Sequence, residues 1–222
     1  MFLPTSTVGR KILMAITGQV LVIFVIFHIA GNTTIFFSTL NAYVADLSAM
    51  KAFVWAGRVI LFVSFIIHIY YGAVLKLENY AARPHGYIVS NYIRATFAGR
   101  IQIWTGVLIA VFVIYHLLQF TFQVTNPAIA ADAHPDALGR PDVFMMVVRS
   151  FQHVGISTAY IVALAALALH LTHGIQSSFQ TWGLNNDRTL SVFEGSGMLA
   201  SAILFLWYIA IPVAVVVGLL KR

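Results

Sequence analysis

The chain has 222 residues, of which 60% are hydrophobic and only 9% charged, with a formal net charge of +6 and no cysteine. That balance is far from the mixed surface of a soluble domain and indicates an integral membrane protein with about five spans of roughly 20 residues each. It leaves no room for a separate soluble catalytic domain and gives no reason to invoke nucleic acid. The missing cysteines exclude disulfides, thiolate metal sites, iron–sulfur ligation and thioether-attached haem on this chain.

The expected fold class is all-α: a polytopic membrane protein, one five-helix transmembrane bundle over residues 1–222. Arg10 and Lys11 precede a first span from about Ile12 to Phe37. This run is too long for a signal-peptide core and has no convincing cleavage site, so it reads as a membrane helix. A short connection over 38–51 leads to a second span, about Ala52 to Leu75, which contains Arg58 and His68. The polar segment that follows, LKLENYAARPHGYIVSNYIRATFAGR, is broken by Pro84 and reads as partly helical and interfacial.

The third span is about Ile101 to Phe122. Three prolines and three aspartates in QVTNPAIAADAHPDALGRPDVF mark an exposed loop. A fourth span runs over about residues 150–176, its start blurred by Arg149, Gln152 and His153. After a polar turn around Asn185 to Glu194, a fifth span runs from about Met198 to Leu220, with a kink expected at Pro212. No internal repeat stands out. Basic residues divide almost evenly between the two sides. The N-terminus is placed inside because the connection between spans two and three is the most basic loop and the next one carries the aspartates.

His28, His68, His116 and His170 each lie in a separate apolar run, where an ionisable side chain is costly and marks function. Alternating span direction converts sequence position into depth. His28 and His116 lie roughly 22–24 Å from the starting face, and His68 and His170 about 10–12 Å. Two couples at two levels therefore result, His28 with His116 and His68 with His170. Facing imidazoles at equal height are what bis-histidine ligation of a haem iron requires, and two such levels make a transmembrane electron path.

Small residues, Gly31, Gly72 and Gly174, stand three or four places after three of these histidines and leave room for a flat macrocycle; Phe120 occupies that place after His116. His173, three residues past His170, is the rival for the ligand role or a hydrogen-bonding partner for a haem propionate. His85 and His134 read as solvated loop residues and His153 as interfacial. Arg58 is either a propionate partner or a snorkelling side chain. Arg10, Lys11, Arg94 and Arg100 suit propionates, partner subunits or anionic lipid.

The segments GRKILMAITG and FHIAGN, then ARPHGY, YIRATFAGR and WTG, and finally LHLTHGIQSSFQTWG resemble the five-helix, di-haem cytochrome b membrane anchor of bacterial succinate:quinone oxidoreductases, the succinate dehydrogenases and fumarate reductases. The likeness covers essentially the whole chain. It implies that His28, His68, His116 and His170 are axial ligands of two b haems, the first paired with the third and the second with the fourth. It further implies a location in the cell's cytoplasmic membrane, with a flavoprotein subunit and an iron–sulfur subunit on the cytoplasmic side. Electrons would pass from succinate through those partners to the haems and a quinone, with no dicarboxylate chemistry on this chain.

The loop between spans three and four is longer than in compact members. Ala168 stands where some menaquinol-oxidising members carry an acidic residue. The alternatives are a di-haem anchor of a hydrogenase or formate dehydrogenase, and a transporter that uses histidines for protons.

Overall fold

The computed structural model describes residues 5–82, 95–184, 186 and 188–221. Arg83, Pro84, His85 and Arg94, and with them the middle of the expected interfacial segment, lie outside the described residues. Among the described residues eight α-helices form: α1 Thr7–Asn32, α2 Leu40–Ala49, α3 Lys51–Ala82, α4 Phe97–Arg100, α5 Gln102–His116, α6 Val143–Gln152, α7 Val154–Thr181 and α8 Leu190–Val216. No strand occurs among the described residues. Among the described residues five stretches are long and apolar enough to cross a membrane: Thr7–Phe37, Lys51–Ala82, Gln102–Thr121, Val154–Thr181 and Leu190–Val216. The chain is an all-α, multi-pass membrane protein.

Where helices outlast the expected spans, the reason is that loss of hydrophobicity marks the exit from hydrocarbon and not the end of the helix; α8 instead stops at Val216, short of Leu220, with Gly218 at φ 77°. α3 continues seven residues past Leu75 to Ala82, through Lys, Leu, Glu and Ala, all good helix formers. α8 likewise begins at Leu190, inside the expected polar turn, after Asn186 folds back to accept from the Arg188 and Thr189 amides at 2.9 and 3.1 Å. The blurred start of the fourth span is two helices, α6 and α7, separated where His153 turns to extended backbone. The Thr-Trp-Gly motif has a structural role. Gly183 takes a left-handed conformation (φ 73°) and closes α7, with the Leu184 amide reaching the Phe179 carbonyl at 3.1 Å.

The helices divide between two compact units. The first is Met1–Phe24, Val59–Val107 and Leu167–Ala202. Its buried polar side chains are small or amidic, among them Thr17, Ser64, Thr105, Gln176 and Ser201, while Phe62, Trp104 and Leu199 face outward. This inversion suits a lipid surround, where interhelical hydrogen bonds and close backbone approach hold helices together. Thr172 and Ser201 share a 2.6 Å hydrogen bond, Gln19 donates to Ser178 at 2.5 Å, and Arg10 pairs with Glu78. Gly197 lets α8 press on α7, because a Cβ there would sit 2.9 Å from the Thr172 carbonyl oxygen.

The second unit is Val25–Arg58, Leu108–Ala166 and Ile203–Arg222. The loop after the third span is largely exposed, as expected, and is pinned through Asp136 and Asp142. Asp142 caps α6 through the Met145 amide at 3.1 Å and accepts from the buried Asn41 amide at 2.9 Å, while Asn41 accepts from the Phe144 amide at 2.8 Å. Asp136 accepts from Arg140 at 2.7 and 2.9 Å, and that guanidinium holds its carboxyl well below the usual carboxylate range.

The α7–α8 contact yields the first prediction. Gly197→Ala should destabilise the protein by about 1–3 kcal/mol, the usual cost of overpacking, read as a lower unfolding midpoint in detergent; an unchanged midpoint would contradict the close approach.

Candidate functional site

The four span histidines meet two by two, each pair within one unit. In the second unit His28 on α1 and His116 at the end of α5 place their ring centroids 5.8 Å apart, with planes at 88°. In the first unit His68 on α3 and His170 on α7 lie 6.2 Å apart, with planes at 68°. All four rings are partly covered by protein.

The hydrogen-bond network assigns the proton on three of these rings. His68 Nδ1 lies 3.1 Å from the Met14 carbonyl oxygen, which only accepts, so Nδ1 carries the hydrogen. His170 Nδ1 lies 3.2 Å from Thr105 Oγ1, whose one proton goes to the Gln102 carbonyl at 3.0 Å, as helical threonines commonly arrange. Thr105 therefore accepts from His170. His116 Nδ1 lies 3.2 Å from the Tyr160 hydroxyl, which donates to Gln119 Oε1 at 2.8 Å and so accepts from His116. In each case Nδ1 donates and Nε2 is left with a bare lone pair, the arrangement that prepares an imidazole to bind a metal.

Glycines make room for two of the rings. A Cβ at Gly18 would lie 3.1 Å from His68 Cε1, and one at Gly106 would lie 3.3 Å from His170 Cε1. Of the glycines singled out from sequence, Gly72 borders open space and Gly174 has only Gln102 Nε2 near it, at 3.8 Å. Gly31 does not open space beside His28, a correction to the sequence reading: the Tyr43 ring fills the position its side chain would take.

The second pair is boxed by aromatic rings. Phe112, Phe120 and Tyr160 surround His116 at centroid distances of 5.8, 5.6 and 6.0 Å. Directly after His116 the helix widens into a π-turn, Leu117–Thr121, which carries the buried Gln119. Such turns recur at functional sites. Tyr208 lies 6.5 Å from His28 and donates to the Val25 carbonyl at 2.7 Å.

His173 lies elsewhere in the first unit: it lodges against Gly99 and lines a cavity of about 370 Å³ with Arg100, Gln176, Gln180 and Glu194. The ring paired with His68 is that of His170. Gln102 donates to the His170 carbonyl at 3.1 Å, leaving its own buried Oε1 without a partner among the described residues. Arg58 is exposed and stacks over Trp55 at 5.1 Å. Lys11 and His153 are exposed, and His134 is exposed with Nε2 2.9 Å from the Ala128 carbonyl oxygen. Among the described residues no group of three or more His, Asp or Glu side chains gathers as a metal site.

Gly18, Gly106, Thr105, Tyr160 and Gln119 escaped the sequence reading, yet a repeat points to the first three. TGQVLVIFVIFH at Thr17–His28 and TGVLIAVFVIYH at Thr105–His116 match at six of twelve places: the Thr-Gly start, Phe-Val-Ile, and the final His. The partner helices share His-x-x-x-Gly, at His68–Gly72 and His170–Gly174. The contacts repeat as well, since Gly18 seats His68 as Gly106 seats His170. Comparisons with family models, with curated proteins and with solved structures give no match to this chain.

The protonation pattern is testable directly. ¹⁵N spectra of histidine-labelled protein in micelles, without added metal, should show His68, His116 and His170 protonated at Nδ1 and bare at Nε2; protonated Nε2 on these rings would contradict the network.

Proposed function

We propose that this chain is the di-haem cytochrome b membrane anchor of a succinate:quinone oxidoreductase. It holds one b haem between His28 and His116 and another between His68 and His170, and passes single electrons between an iron–sulfur subunit and a membrane quinone. The observation that carries the reading is the spacing of the two imidazole pairs. Two metal–imidazole bonds of about 2 Å, plus the radii of both rings, separate ring centroids by roughly 6 Å, against 5.8 and 6.2 Å here.

Three further features support it. Imidazoles with Nδ1 donating and Nε2 bare are ready to ligate. Each pair supplies only two ligands, which suits a metal whose remaining positions are filled by a macrocycle. Gly72, four residues past His68, borders open space, and Gln102, which donates to the His170 carbonyl, keeps a buried Oε1 acceptor in need of a donor.

Bound haem would supply a one-electron couple inside the membrane. The chain's own residues do the rest. Met14, Thr105 and Tyr160 fix the ring orientation and keep the protons off Nε2. The apolar spans exclude water. Arg100 and His173, on the cavity of the first unit, are the cation and the hydrogen-bonding group suited to carboxylates such as propionates. On this reading the flavoprotein partner carries the succinate chemistry, the chain sits in the cytoplasmic membrane with its N-terminus on the cytoplasmic side, and the quinone is the small-molecule substrate. The motif likeness favours this anchor over one serving a hydrogenase or formate dehydrogenase.

Purification of the native complex tests the proposal. A b-type absorption spectrum at two haems per chain, with a flavin-containing partner, is expected. His68→Ala or His170→Ala should remove one haem and spare the other, and Gly18→Val should do the same by displacing His68. Protein without haem would refute the reading, and a partner lacking flavin would refute the succinate assignment.

A further inference from the structure

We propose that Tyr160, polarised by Gln119, is a positioning residue that sets the electron affinity of the His28–His116 site apart from that of the His68–His170 site. The inference rests on the haem reading above and extends it to residues that touch no cofactor. His116 Nδ1 donates to the Tyr160 hydroxyl at 3.2 Å, and that hydroxyl donates to Gln119 Oε1 at 2.8 Å. A donating Nδ1–H makes the opposite nitrogen more basic. The acceptor strength of a phenol oxygen rises when its own proton is given to a carbonyl, since chained hydrogen bonds polarise one another. Both Tyr160 and Gln119 are 5% exposed, so little water competes.

The repeat shows that this relay serves only one ring of its site, because the matching positions give His28 no counterpart. Tyr160 stands ten residues before His170, and the place ten before His68 holds Arg58, exposed over Trp55. Gln119 stands three after His116, and the place three after His28 holds Gly31. Around the other pair the acceptors are a main-chain carbonyl, Met14, and the Thr105 hydroxyl. The surroundings differ too: Phe112 and Phe151 pack on Tyr160 at 4.9 Å, fixing its hydroxyl in an aromatic setting.

A more basic Nε2 stabilises the oxidised, more positive iron. Taking up one electron at this site, from the iron–sulfur partner, moves no proton, because Tyr160 keeps its O–H throughout. Loss of the hydroxyl therefore weakens the ligand and raises electron affinity at that site alone.

The test is a potentiometric titration of both b-type centres in the purified complex, followed optically. Tyr160→Phe keeps the stacked ring and should favour reduction of one centre by about tenfold, a rise of ~59 mV for one electron, with the other centre unmoved. Gln119→Leu, which leaves the phenol in place, should shift the same centre in the same direction by less. Thr105→Val should move only the other centre. If both centres are present and neither moves in Tyr160→Phe, or both move alike, the role assigned to Tyr160 is overturned. A wild-type complex without haem overturns the underlying reading instead. If Tyr160→Phe does not assemble, Gln119→Leu decides, and an unshifted centre there counts against the relay.

Discussion

The arrangement depends on where the ring hydrogens of the span histidines go. An imidazole in an apolar helix has one donor and one acceptor to satisfy, and an unpaired polar atom there is costly. Main-chain oxygen at Met14 and hydroxyls at Thr105 and Tyr160 take the donor in three cases, always from Nδ1. The four rings stand two by two at centroid separations of 5.8 and 6.2 Å. Two lone pairs brought together would repel unless a Lewis acid lay between them, and the proposed metal at each pair meets that condition. A relay would set a donor against an acceptor.

The two pairs have different surroundings. His68 and His170 are seated against Gly18 and Gly106, with short polar partners close by. His116 is enclosed by Phe112, Phe120 and Tyr160, and a π-turn brings Gln119 under the phenol. Phe120, the residue that breaks the glycine pattern in the sequence, is thus a wall of this second site. Similar segments, Thr17–His28 and Thr105–His116, lie in α1 and α5, and the chain differs just beyond them, where Gln119 stands three after His116 and Gly31 three after His28.

Much of this was legible in the amino-acid order. Five apolar runs, four of them carrying one each of His28, His68, His116 and His170, marked the spans, and rise per residue was enough to draw both couples. Helix ends were misjudged where the helix extends beyond the apolar run, as at Lys76–Ala82 after the second span and Leu190–Gly197 before the fifth. The loop after the third span is exposed as its composition indicates, but the anchoring of Asp136 and Asp142 by Asn41, more than ninety residues away in sequence, was not legible. Such pairings across distant segments carry no periodic signal. Tyr160 and Gln119 were hidden for the same reason. Gly18 and Gly106 were not hidden, since the shared Thr-Gly to His pattern marks both.

The central claim is that each pair of imidazoles grips one metal porphyrin with its rings turned as they are here. Imidazole planes far from parallel leave two of the iron d orbitals nearly equal in energy, which gives the ferric low-spin state an unusually wide spread of g values. Electron paramagnetic resonance of the oxidised complex therefore tests the claim most directly. With planes at 88° and 68°, two low-spin ferric signals of this strongly anisotropic kind are expected, one per site. A high-spin signal, a spectrum of parallel-ring type, or the absence of any haem signal would contradict it.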